Sequence, residues 1–280
     1  MKQFDFGKNW AEFSTNAATG ERIIQARTQF AELMKGIELQ GRSFLDIGFG
    51  QGFSLLTARA LGAEVVGCDI NPKCHEVIER NRSLFPDAGN GRIPLRIGSI
   101  LDDSTVDALR REQAAHEQGY DIVHSWGVLH HTGDMRRAIA NAASLVRPGG
   151  HLVIAIYNRH WSSLAWRWIK GLYVHCPASM QRLLVFTLYP VILGAKWMVT
   201  GKNPKRMERG MEFYYNVVDW VGGYPYEYAS TDEIEQLCRP LGFSVVRVTP
   251  AIVPTGCNEF VFRKDVTPVR TDSIPGNPTR

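Results

Sequence analysis

Short apolar runs and longer segments of helical period alternate from residue 43 to residue 158. The runs at 44–48, 64–69, 93–98, 120–125 and 151–157 read as strands. Helices are expected between them: an apolar run at 53–61, a segment opened by Asn71 and Pro72, a charged segment over 105–118, and one over 134–146. Arg147-Pro148-Gly149-Gly150 reads as the stop signal of the last of these. Strands alternating with helices predict a parallel sheet covered on both faces.

Upstream, residues 21–35 have a helical period, with Ile23, Ile24, Phe30, Leu33 and Met34 on one face. They follow an aromatic arm of Phe4, Phe6, Trp10 and Phe13, which either packs on the core or closes over a ligand. The alternation breaks at 159–228, where tryptophan-rich and apolar runs occur, and resumes with a helix at 231–241 and strands at 243–248 and 258–262. Seventy residues without structure are improbable inside a domain, so 159–228 reads as an insertion. The expected organisation is an arm and cap helix over 1–36, a sheet domain over 37–158 plus 229–264, the insertion, and a disordered tail over 265–280.

Composition narrows this little. Hydrophobic residues make up 44% and charged residues 21% of the 280, as in ordinary soluble domains. The net charge of +4 is too small to argue for nucleic acid. Five cysteines form no C-x-x-C pair, and His130, His131 and Asp134 are too few and too close to specify a metal site, so none is expected. The N-terminus lacks the apolar run of a signal peptide, which makes the cytoplasm the expected compartment.

The chemistry concentrates in Ser43 to Ser54, S-F-L-D-I-G-F-G-Q-G-F-S. Asp46 is followed by Gly48, Gly50 and Gly52, and glycines let a ligand approach the main chain. Asp69, at the end of the second strand, is placed to accept ribose hydroxyls. A dinucleotide fingerprint would need glycine where Phe53 stands.

With the G-S-I-L-D stretch ending at Asp102, the Y-D-I-V-H-S-W-G-V-L-H-H stretch and R-P-G-G, this loop resembles a class I S-adenosylmethionine-dependent methyltransferase. The resemblance is tight over 43–158 and loose over the last two strands. It implies an α/β fold with a Rossmann-like, seven-stranded, mostly parallel sheet whose last strand is antiparallel. It also implies S-adenosylmethionine as cofactor and S-adenosylhomocysteine as its product. Asp46, Gly48, Gly50 and Gly52 would then cradle the methionine moiety, and Asp69 the ribose. Ile70, Ile100, Leu101 and Asp102 would meet the adenine, Ser125 and Trp126 would line the sulfonium side, and His130 would face the cofactor or the acceptor. Asp102 is equally suited to cap the next helix, and the histidine pair to bonding the backbone.

A small-molecule acceptor is expected in the insertion and the arm. Trp10, Asn158, Tyr214, Tyr215, Trp220, Tyr224 and Tyr226 are the candidate walls, and His130, Tyr157, Asp219 and Glu227 the candidate positioning or base residues. The same rings could instead be the insertion's own core, with Gly222-Gly223 a turn. Residues 183–199 carry one lysine and one proline; a lid helix, a dimer contact and an interfacial helix flanked by Arg167, Lys170, Arg182, Lys196, Lys202, Lys205 and Arg206 all remain open. The chain is expected to be a monomer or homodimer. Rival readings are a methyltransferase for protein or nucleic acid, and a non-catalytic cofactor sensor. Against the first, no N-P-P-[YF]-like motif or P-C motif is present where such enzymes carry one.

Overall fold

A computed structural model describes residues 3–7, 9, 10, 12, 20–112, 118–206 and 212–266. Phe13 and most of the expected tail lie outside these.

Seven strands form one sheet: β1 (Ser43–Ile47), β2 (Glu64–Asp69), β3 (Leu95–Ile97), β4 (Tyr120–Trp126), β5 (Val146–Tyr157), β6 (Phe243–Thr249) and β7 (Cys257–Lys264). Their order is β3-β2-β1-β4-β5-β7-β6. The first five are mutually parallel, and β7 runs antiparallel between β5 and β6. The helices are α1 (Gly20–Leu33), α2 (Phe53–Ala60), α3 (Lys73–Asn81), α4 (Asp103–Glu112), α5 (Met135–Ser144), α6 (Ser163–His175), α7 (Ala178–Thr200), α8 (Phe213–Gly222) and α9 (Thr231–Cys238).

Neighbouring strand residues feed opposite layers, because successive side chains point to opposite faces. Phe44, Ile122 and Val153 pack with α1, α2 and α3, whereas Leu45, Val123 and Leu152 pack with α4, α5 and α9. Both faces are covered, which is why these strands read as continuous apolar runs.

R-P-G-G differs from its expected role. It belongs to β5 itself: Tyr120 pairs with Val146 and Ile122 with His151, so the extra residues bulge from the strand. Asp121 anchors Arg147 within this excursion. It receives hydrogen bonds from the Ser43 N–H and Oγ and from Arg147 Nε, and these hold its carboxyl below its ordinary range despite burial.

The insertion leaves and rejoins the sheet at one place, where the Ala229 N–H donates to the Tyr157 carbonyl and the Arg159 N–H to the Ala229 carbonyl. Between these points α6, α7 and α8 gather a separate apolar cluster around Tyr173, Val185, Phe213, Val217 and Val221. The arm straps across to it and to α3. Phe4 N–H donates to the Tyr224 carbonyl, Asp5 binds Lys73 at 3.0 Å, and Asn9 Nδ2 donates to the Tyr215 carbonyl and to Asp219.

Candidate functional site

The chain runs outward from β1 to β3 on one side and returns to place β4 on the other, so the strand order reverses between β1 and β4. Ligands of open α/β sheets bind beyond the carboxyl ends of strands at such a point. A cavity of about 710 Å³ lies there, lined in part by the arm, the insertion and residues 253–257 leading into β7.

One half of the cavity is the glycine loop. Gly48 and Gly50 adopt φ of 74° and 52°, and a Cβ on Gly48 would stand 2.4 Å from Val128 Cγ2. Trp10 of the arm lies over Gly50, its Nε1 3.2 Å from where a Cβ would be. Asp69 is buried, accepting from the Gly50 N–H at 2.9 Å through one oxygen and from the Asn71 N–H at 2.8 Å through the other. Burial nevertheless raises its pKa. The Cys74 thiol also hydrogen-bonds this side chain, which leaves one lone pair of the carboxylate for a hydroxyl donor. Asp46 is held by the ring of His124, with Oδ1 2.7 Å from Nδ1. Asp46, Ile70, Ile100 and Trp126 also line the cavity, Ile70 largely exposed to it.

The remaining cofactor candidates sit elsewhere. Gly52 immediately precedes α2 and faces Ile78. Leu101 packs into the layer beneath, and Ser125 is buried with its Oγ donating to the Ile47 carbonyl, tying β4 to β1. Asp102 is exposed and precedes α4, accepting the Thr105 and Val106 N–H groups through its carbonyl. Ser99 lines the wall instead.

The other half of the cavity comes from the insertion and the loop after β4. Trp10, Tyr157, Asp219, Trp220 and Tyr224 line it. Tyr226 is buried behind Tyr157, ring centroids 5.1 Å apart, and Tyr214 points to solvent. Tyr215 packs toward the sheet layer; Asn158 is spent on Asn258 and the Pro254 carbonyl. Glu227 accepts the Gly133 and Met135 N–H groups and so caps the start of α5. Gly222 and Gly223 end α8 under close contact with Phe4 and His131, so the close approach there is made by the chain's own rings.

The two histidines part company. His130 is fully buried against Tyr157, at 4.1 Å between centroids, and its Nδ1 accepts the Tyr157 N–H. Burial, together with His131 and Lys170, pushes its pKa well down. His131 lines the cavity, and its Nδ1 lies 2.6 Å from the Pro225 carbonyl. A carbonyl only accepts, so Nδ1 carries the proton and Nε2 keeps a free lone pair. Burial and nearby Lys170 bring the His131 pKa down to about 3, so the ring is neutral.

A methyltransferase domain family model matches residues 17–248. The chain belongs to the methyltransferase family. A ubiquinone biosynthesis O-methyltransferase from Bordetella avium (strain 197N) is 31% identical over 193 residues, covering 68% of this chain and 73% of that protein. One from Bradyrhizobium sp. (strain ORS 278) is 29% identical over 136 residues, 49% of this chain and 48% of that protein. The chain thus spans about half the length of the Bradyrhizobium relative. The fold is shared with an O-methyltransferase family protein from Burkholderia thailandensis (TM-score 0.53, 15% identity, covering 87% of this chain and 57% of that one). It is also shared with magnesium protoporphyrin IX methyltransferase from Synechocystis PCC 6803 with bound SAH (TM-score 0.51, 16% identity, 88% and 84%).

Two features of this methyltransferase have no local signature in the sequence. Lys170, grouped there with the flanking basic residues, is fully buried: its Nζ donates to the Trp220 carbonyl in the last turn of α8 and lies among the rings of Trp220, Tyr226 and Tyr157. Burial brings its pKa down to about 7, Asp219 partly opposing. The 253–257 wall carried no motif at all. Asp219 itself is pushed up to about 8 by burial, against the opposing pull of Asn9 and Lys170.

That shift has a stability consequence. As pH rises from about 4 to about 8 the unfolded chain ionises Asp219 and the folded methyltransferase does not, so the residue's contribution to stability falls throughout this window. Asp219→Asn is expected to stabilise the protein relative to wild type by more at about pH 8 than at about pH 5, measured by urea denaturation. An equal difference at both values would mean that Asp219 ionises normally.

Proposed function

We infer that this methyltransferase moves the methyl group of S-adenosylmethionine to a hydroxyl oxygen of a small, largely apolar acceptor. The cofactor supplies a methyl carbon already activated on a sulfonium. The donor half of the cavity fits it: a glycine cradle that side chains would fill, a buried carboxylate at Asp69 for the ribose, and Ile70 for the adenine face. Asp46, beside His124, stands where the amino-acid end would lie.

The observation that carries the choice of oxygen is the tautomer of His131. Hydroxyl acceptors must lose a proton that becomes strongly acidic as the methyl carbon bonds to the oxygen, so the weakly basic neutral imidazole of His131 on the cavity wall can take it. Trp10, Tyr157, Trp220 and Tyr224 hold the acceptor and exclude water, and alignment of this kind can lower the barrier by about 7 to 11 kcal/mol. Asp219, with a pKa of about 8, keeps its proton at neutral pH and offers a hydrogen bond rather than a charge, which disfavours an ammonium acceptor. The names of the O-methyltransferase relatives agree with this reading.

Incubating the purified protein with S-adenosylmethionine and a panel of phenols, catechols and amines tests it. O-methylated product with matching S-adenosylhomocysteine is expected, and methylation of amines alone would contradict the oxygen assignment.

A further inference from the structure

Residues 159–206 contain eight lysines and arginines and no aspartate or glutamate. The whole chain carries only +4, so the rest of it is net acidic and the positive charge is gathered on the insertion. Arg167, Arg182, Lys202 and Lys205 are exposed there.

Among the described residues α7 is the helix long and apolar enough to cross a bilayer, with a mean hydropathy of 1.6, yet only 6% of that apolar stretch is buried. Its inner side, through Val185, Leu188 and Ile192, packs into the cluster shared with α6 and α8. Its outer side presents Phe186 at 78% and Met198 at 83% exposure, along with Trp197, and α6 presents Trp168 at 75%. Exposed large apolar side chains thus concentrate on α6 and α7, between Leu164 and Val199, and such a concentration marks a surface that meets a partner.

The geometry points to this face docking on an anionic lipid surface, with α7 lying along the headgroup boundary. Exposed tryptophans among lysines and arginines suit that boundary, where apolar rings enter the acyl region and cations meet lipid phosphates. Spanning is opposed by the inner face, which is committed to α8, and by Lys196, whose Nζ reaches Asn216 Oδ1. A second copy of the chain on the same face would set like charges against each other, whereas an anionic bilayer complements them. Val191, exposed on α7, also lines the cavity, as do Ala195 and Val199, so the docked face borders the acceptor wall.

Flotation of the full chain with vesicles of phosphatidylcholine, alone or mixed with phosphatidylglycerol, tests the inference without cofactor or acceptor, so its failure is separate from failure of the proposed reaction. Binding to the mixed vesicles and release by high salt are expected. Arg182→Glu with Lys202→Glu and Lys205→Glu should reduce partitioning by at least on the order of 100-fold. A second variant, Trp168→Ser with Phe186→Ser and Met198→Ser, should lose binding while keeping its circular dichroism spectrum. No binding at low salt, undiminished binding by both variants, or retention through an alkaline carbonate wash as for a spanning helix would each overturn it. So would a stable wild-type dimer that the serine variant converts to monomer, since the face would then belong to a second copy.

Discussion

Replacing Gly48 with valine is expected to weaken S-adenosylmethionine binding at least about 100-fold, or about 2.7 kcal/mol, while the sheet stays folded. Two effects combine. The φ of 74° lies in the left-handed region, which costs a side chain with a Cβ about 1 to 2 kcal/mol. The added atoms would also press on Val128, 2.4 Å from the Cβ position, and relieving the overlap requires the loop or Val128 to shift, both of which line the cavity. The strands are held by packing on both faces and do not depend on this loop. Gly36→Val is the matched control: its φ of 85° imposes similar strain, but nothing lies within 4 Å of its Cβ position, so stability falls and binding does not. Titration calorimetry on both variants, with circular dichroism for folding, reads the difference. Unchanged affinity in Gly48→Val would remove the loop from the donor site.

His131→Gln is expected to lower kcat by about 10²- to 10⁴-fold with little change in cofactor affinity. Glutamine can keep a hydrogen bond to the Pro225 carbonyl but has no basic nitrogen. Because burial holds His131 near a pKa of about 3, the acid limb of the wild-type kcat profile should stay flat well below the ordinary histidine value of 6.5. A limb near 6.5, or full turnover in His131→Gln, would place the base elsewhere or make it unnecessary.

The sheet was legible because its central strands are buried on both faces and leave continuous apolar runs, with Asp69 and the glycine loop at strand ends. Spacing alone could not separate residues that share a loop. His130 and His131 occupy the same short helical turn, Leu129–His131, yet one ring is buried behind Tyr157 and the other reaches the cavity. Ser99 and Asp102 are three residues apart, and only Ser99 meets the wall. Glu227 was legible as an acid beside aromatic rings, but its role as a cap depends on where α5 begins. Lys170 and the 253–257 wall depend on contacts between segments distant in the chain, which no local pattern encodes.

We propose that one cavity joins a donor cradle at β1 and β2 to an acceptor wall from the insertion. A crystal structure with S-adenosylhomocysteine bound tests it most directly. A ribose hydroxyl on Asp69 and the sulfur directed toward the space between His131 and Asp219 are expected. A ribose away from Asp69, or a sulfur turned from that space, would contradict it.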